Sequence, residues 1–170
     1  MNKMIALGIL LCLLVAPQIR AEEQKSPCLN PKYHEFDFWL GQWDVRRAGS
    51  TNPGHADSKI TQILGGCVIL EEYSTPQGFS GKSFNMYDSA SGLWRQFWVD
   101  NAGNYIEYAG SFNNGAMEFE GRAGGAGGKE LSRMRFTKTD SNTVRQYIES
   151  STDGGKTWSI YFDGIYTKKK

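Results

Sequence analysis

The sequence predicts an all-β chain: an antiparallel meander of about eight to ten strands closed into a barrel and led by a short helix. The first observation is a change of hydrophobic period from helical to two at Gln42. The second is a series of segments rich in aromatic and β-branched residues, at 42–47, 58–65, 67–73, 82–88, 93–100, 104–112, 115–121, 130–138, 142–150 and 157–167. The third is the turn chemistry between them, such as Asn52-Pro53-Gly54, Pro76-Gln77-Gly78, Asn113-Asn114-Gly115 and Asp153-Gly154-Gly155. Connections this short leave no room for the crossovers that parallel pairing requires. A meander of this size closes into a barrel that can hold one small ligand.

The helix signal comes just before the first strand. Asn30 is a good N-cap, Pro31 suits the first helical position, and Gly41 is placed to terminate. Tyr33, Phe36 and Leu40 recur at helical spacing and give one apolar face. A helix this short is not stable alone and must pack on the barrel.

Residues 1–21 read as a signal peptide. Lys3 gives a positive start, Ile5 to Val15 is an almost unbroken apolar run, and Pro17 and Ala21 lead to a cleavage site. The run is too short to span a bilayer. Ile19 departs from the preferred small residue, and Cys12, inside the apolar core after Leu10-Leu11, does not fit a lipoprotein signal. The expected product is exported, periplasmic or secreted, with residues 22–29 a flexible lead-in and 30–170 a single barrel domain. Cleavage removes Lys3 and Arg20 and no acid, so the remaining charge is nearly balanced against 18 acidic residues. With Lys168-Lys169-Lys170 its only basic run, such a chain is not built for nucleic acid.

Two cysteines then remain, Cys28 and Cys67. They form either one disulfide or two buried thiols, and the exported setting favours the disulfide. The glycine stretch 121–129 fails as a phosphate loop. Ala123 stands where its first glycine belongs, and Glu130 replaces the Ser or Thr that would bind magnesium. A hairpin loop fits it better.

Gly41-Gln42-Trp43 after a short helix resembles the start of the lipocalins and the wider calycin group. The resemblance implies that Trp43 closes one end of the barrel and that a late-strand arginine, Arg145 or Arg135, packs across it. Over nearly the whole mature chain the sequence resembles a bacterial family of exported proteins, domain of unknown function 1579. It is carried by Phe36-Asp-Phe-Trp-Leu-Gly-Gln-Trp-Asp-Val45, Gly65-Gly-Cys-Val-Ile-Leu-Glu-Glu72, Trp94-Arg-Gln-Phe-Trp-Val-Asp-Asn101 and Val144 to Trp158. That resemblance implies a lipocalin-like fold and no chemistry. Ser151-x-Asp153-x-Gly155-x-Thr157-Trp158 reproduces the Asp-box of sialidases and other propellers, where it is a hairpin turn away from catalysis. A single copy reads as a hairpin staple.

Residues able to carry chemistry are few. His34 falls in the short helix and His55 in a turn, so neither suits a heme, and with Cys28 and Cys67 they show no metal-ligand spacing. No cofactor or metal is expected. Glu71 and Glu72 alternate, so one carboxylate points to each face of the strand. Glu72, Arg135, Arg145 and Glu149 either line a cavity or form an ion-pair network on the outer face. Trp43 and Trp98 are candidate apolar walls, and Gln96 joins the polar candidates. The first functional expectation is a binding protein holding a small apolar or amphipathic molecule in its barrel. The alternatives are a hydrolase or isomerase using a buried Glu/Arg pair and a non-binding envelope structural module with a filled barrel. No membrane span is expected.

Overall fold

The computed structural model describes residues 27–51, 55–124 and 130–170; the expected signal peptide and most of the lead-in lie outside them. Ten antiparallel strands form a closed barrel. They are β1 (Gly41–Arg47), β2 (Ala56–Ile63), β3 (Val68–Ser74), β4 (Ser80–Asp88), β5 (Leu93–Asp100), β6 (Tyr105–Asn113), β7 (Ala116–Gly124), β8 (Leu131–Lys138), β9 (Thr143–Ser151) and β10 (Ser159–Lys168). Each strand pairs with its sequence neighbours, and β1 closes on β10 with Trp43 opposite Lys168 and Val45 opposite Tyr166. Closure leaves no unpaired sheet edge.

Local chemistry sets the turns. Asn114 and Gly115 connect β6 to β7 with φ of 48° and 80°. Two successive positive φ values make a two-residue turn whose twist matches the flanking strands, which is why Asn-Gly stands there. Between β9 and β10, Asp153 Oδ1 accepts from the backbone N–H of Lys156 and of Thr157, each at 2.9 Å. Its Oδ2 accepts from Thr157 Oγ1 at 2.7 Å, and the Trp158 indole donates to the Gly155 carbonyl at 3.1 Å. The bonds from Thr157, with one from Ser151, hold the Asp153 carboxyl down at about 2. The Asp-box is therefore a turn staple here, and Arg133 lies over the Trp158 ring at 4.3 Å.

The short helix takes the form of tight 3-10 turns. Asn30 caps the first, Pro31–His34, with its side-chain oxygen accepting from Lys32 N at 3.0 Å. Phe36 leaves helical geometry at φ −103°, ψ 5°, and a second turn, Asp37–Trp39, follows. Three-residue spacing puts Phe36 and Trp39 on one side. Both are fully buried, and their rings stack at 4.9 Å. Gly41 does not terminate this segment; Leu40 does, and Gly41 opens β1 with φ 140°.

This segment plugs one end of the barrel. Phe136 lies 5.0 Å from Phe36 and 4.6 Å from Trp39, with Trp94 and Phe119 completing the cluster. Trp43, 1% exposed, donates its indole N–H to the Trp39 carbonyl at 2.8 Å. The cation over its ring is Lys168, at 5.6 Å, and not the expected Arg145 or Arg135. The Cys28–Cys67 disulfide ties the plug to the loop before β3. Bridging a separation of 39 residues contributes on the order of 4 kcal/mol in the chain-entropy view.

Candidate functional site

Strand alternation decides which side chains meet inside. On β3, Ile69, Glu71 and Tyr73 face inward, so Leu70 and Glu72 face outward. On β4 the inward residues are polar: Ser83 and Asn85 are fully buried, whereas Phe84 and Met86 are 46% and 44% exposed. Gln96 on β5, Ser132 on β8 and Gln146 on β9 are also buried. The barrel thus has an apolar plug at one end and a polar layer above it.

Glu71 is the ionisable centre of that layer, 3% exposed. Its Oε1 accepts from Ser58 Oγ at 3.1 Å and its Oε2 from Ser83 Oγ at 2.9 Å. Behind Ser83 the donors run in one direction. Gln96 Nε2 donates to Asn85 Oδ1 at 2.6 Å, and Asn85 Nδ2 donates to Ser83 Oγ at 3.0 Å. Across the floor, Tyr166 donates to Gln146 Oε1 at 2.6 Å, and Tyr108 shares a 2.8 Å bond with Ser132. Among the described residues, the direct partners of Glu71 are neutral. Burial therefore dominates and pushes its carboxyl up to about 7, against the hydrogen bonds from Ser83 and Ser58. Burial, with the Glu71 charge beside it, raises Tyr166 well above its ordinary value.

Above this floor a cavity of about 460 Å³ opens at the end opposite the plug. Its lining comes mainly from the late parts of β1, β3, β5, β7 and β9 and the early parts of β6, β8 and β10. Tyr73, Trp98, Ile148 and Phe162 give apolar wall, and Glu71 and Gln96 bring polar atoms to it. Gly81 makes room for Trp98, since a Cβ there would lie 2.2 Å from the indole ring. At the rim, a register shift between Ile160 and Phe162 leaves Tyr161 bulged on β10, where it lines the cavity.

The expected polar cluster is not inside. Val144, Gln146 and Ile148 take the inward positions of β9, so Arg145 and Glu149 stand outside. Ser132, Met134 and Phe136 do the same on β8 and turn Arg135 outward. Glu72 pairs with Lys82 at 2.8 Å, Arg135 with Glu118 at 3.2 Å, Glu149 with Arg133 at 2.7 Å and Arg145 with Asp163 at 2.8 Å. The outer ion-pair network is the arrangement present. Gln96 and Trp98 do line the cavity, whereas Trp43 lies in the plug. Arg145→Ala is therefore expected to change stability by less than about 1 kcal/mol. It should leave binding in the cavity unchanged, checked by a thermal melt and a ligand titration of the variant.

The histidines lie elsewhere. His34 pairs with Asp37 at 2.8 Å, and His55 with Asp44 at 3.2 Å. Asp44, His55 and Asp57 form a cluster near the surface, and the Lys169 ammonium pairs with both of its carboxylates. That cluster carries its own cation.

No protein-family model and no curated protein matches the chain. Among solved structures it is similar to the crystal structure of Rv2717c from M. tuberculosis, with a TM-score of 0.53 and 12% identity. The match covers 82% of this chain and 98% of that one. At this identity the likeness is one of fold.

Proposed function

We propose that this chain is an exported, calycin-type binding protein that holds a small apolar or amphipathic ligand in its barrel, and that it belongs to the family of domain of unknown function 1579 that it resembles. The observation that carries the reading is the cavity of about 460 Å³ above a polar floor. Small-molecule sites have volumes of about 300–1,000 Å³, mostly apolar walls and a few convergent polar groups. Trp98, Tyr73 and Phe162 supply the walls here; Gln96 and Glu71 supply the polar contacts. Such an interior does not suit a filled structural barrel. Export is supported by the Cys28–Cys67 disulfide, since such bonds persist in oxidising compartments.

Native mass spectrometry of protein purified from its own envelope tests this. The expected result is a reproducible adduct that is lost on denaturation. Repeated preparations without an adduct would count against the reading.

A second reading, a hydrolase or isomerase, is favoured by one observation: a buried carboxyl brought to about 7 at the cavity floor suits proton transfer near neutral pH. The group concerned is Glu71 and not Glu72. On this reading the captured species is recovered chemically changed from the native protein and unchanged from Glu71→Gln.

A further inference from the structure

We infer that the ligand is a small organic cation with an apolar body, an alkyl- or arylamine whose ammonium seats against the Glu71 carboxylate. The inference rests on the ligand-binding reading and narrows it.

The floor offers acceptors and lacks a counter-ion. Among the described residues, no Lys, Arg or His pairs with Glu71, whose direct partners are the hydroxyls of Ser58 and Ser83. A carboxylate of this kind, buried without an opposite charge, is costly, and a ligand cation is the partner that would relieve that cost. The donor chain through Gln96, Asn85 and Ser83 points its protons toward Glu71, so it favours the ionised carboxylate without neutralising it.

The remaining lining has the same bias. Its charged members among the described residues are three acids, Glu71, Asp100 and Glu130, against one base, Arg47. An anionic ligand would face those three carboxylates. A wholly apolar ligand would cover Glu71 without supplying the opposite charge that the buried carboxylate lacks. The aromatic walls Trp98, Tyr73 and Phe162 suit an arylamine doubly, because aromatic faces attract cations as well as apolar rings.

Charge pairing also fixes a pH signature. The titratable and charged groups near Glu71 are Tyr73 on its own strand, Tyr166 on β10 and Arg47 on β1; β2 and β4 face it with the neutral Ser58 and Ser83. Burial raises both tyrosines, so neither ionises near neutral pH. Glu71, titrating at about 7, is then the group that controls cation binding between pH 6 and 8.

Isothermal titration of the full chain with three indole probes of similar size tests the inference: tryptamine (cation), tryptophol (neutral) and indole-3-acetate (anion). At pH 8 tryptamine should bind at least about tenfold tighter than either of the others, and Glu71→Gln should abolish that preference. In the native protein, tryptamine affinity should fall about tenfold from pH 8 to pH 6 as Glu71 takes up its proton, while tryptophol affinity stays flat. This pH arm needs no variant to fold. Tryptophol or indole-3-acetate binding as tightly as tryptamine would overturn the cation inference and leave the binding barrel standing. No binding of any probe would also overturn it. An adduct in native mass spectrometry would then keep the broader reading, and no adduct would remove both.

Discussion

Replacing Glu71 with Gln is expected to stabilise the protein at pH 8 and to remove a pH dependence that the native chain shows between about 4.5 and 7. The sign follows from proton binding. Unfolded, the carboxyl titrates near 4.5; folded, at about 7. Between those values the native state holds more protons than the unfolded state, so stability falls as pH rises and levels off above 7. The full difference is roughly 3 kcal/mol for a group buried this deeply. Gln keeps the shape and carries no charge. At pH 4 the variant and the native protein should melt together. At pH 8 the variant should melt about 6–12 °C higher, in the absence of ligand. The difference between the two proteins is the quantity to follow, since Asp153, held at about 2, works in the opposite direction in acid. Equal melting temperatures at both pH values would show that Glu71 is solvated.

Trp39→Ala should have the largest destabilising effect, about 3–5 kcal/mol in urea unfolding. Trp39 is fully buried between Phe36 and Phe136, and its carbonyl holds the Trp43 indole. Truncation would leave a void that the rigid strands around the plug could not close. Trp39→Phe separates packing from polarity. The Trp39 indole N–H is buried without a hydrogen-bond partner among the described residues, and Phe removes that desolvated donor along with part of the ring. The two changes offset, so the Phe variant should lie within about 1 kcal/mol of the native protein. A Trp39→Ala loss below about 1 kcal/mol would mean that the plug is not what closes the barrel.

The fold was legible because it rests on period and turn chemistry, both local. The Asn114-Gly115 turn forces a hairpin, and all ten strand segments fall within a few residues of the strands observed. The plug was legible in part: Asn30 and Pro31 announce the helical start, but the departure of Phe36 from helical geometry depends on where its ring must pack inside the barrel. The site was harder to read. Glu71 and Glu72 differ in sequence by one position and in environment by the whole sheet, and alternation alone does not say which carboxylate points in. That choice is fixed by Ile69 and Tyr73, which share the inward face with Glu71. The available signal lay on β4. Phe84 and Met86 outward with Ser83 and Asn85 inward is the reverse of a filled core, and it marks a strand that borders a polar interior. The arginines misled for a related reason, since nothing local distinguishes an outward Arg145 paired with Asp163 from an inward one awaiting a ligand.

The measurement closest to the central claim, a ligand cavity floored by a buried carboxylate without a counter-ion among the described residues, is a ¹³C titration of the Glu71 side-chain carboxyl by NMR, with and without tryptamine. The free protein should titrate with a midpoint near 7, and saturating tryptamine should lower that midpoint by about one unit or more. A free-protein midpoint near 4.5, unmoved by tryptamine, would contradict both the buried floor and the ligand it is proposed to hold.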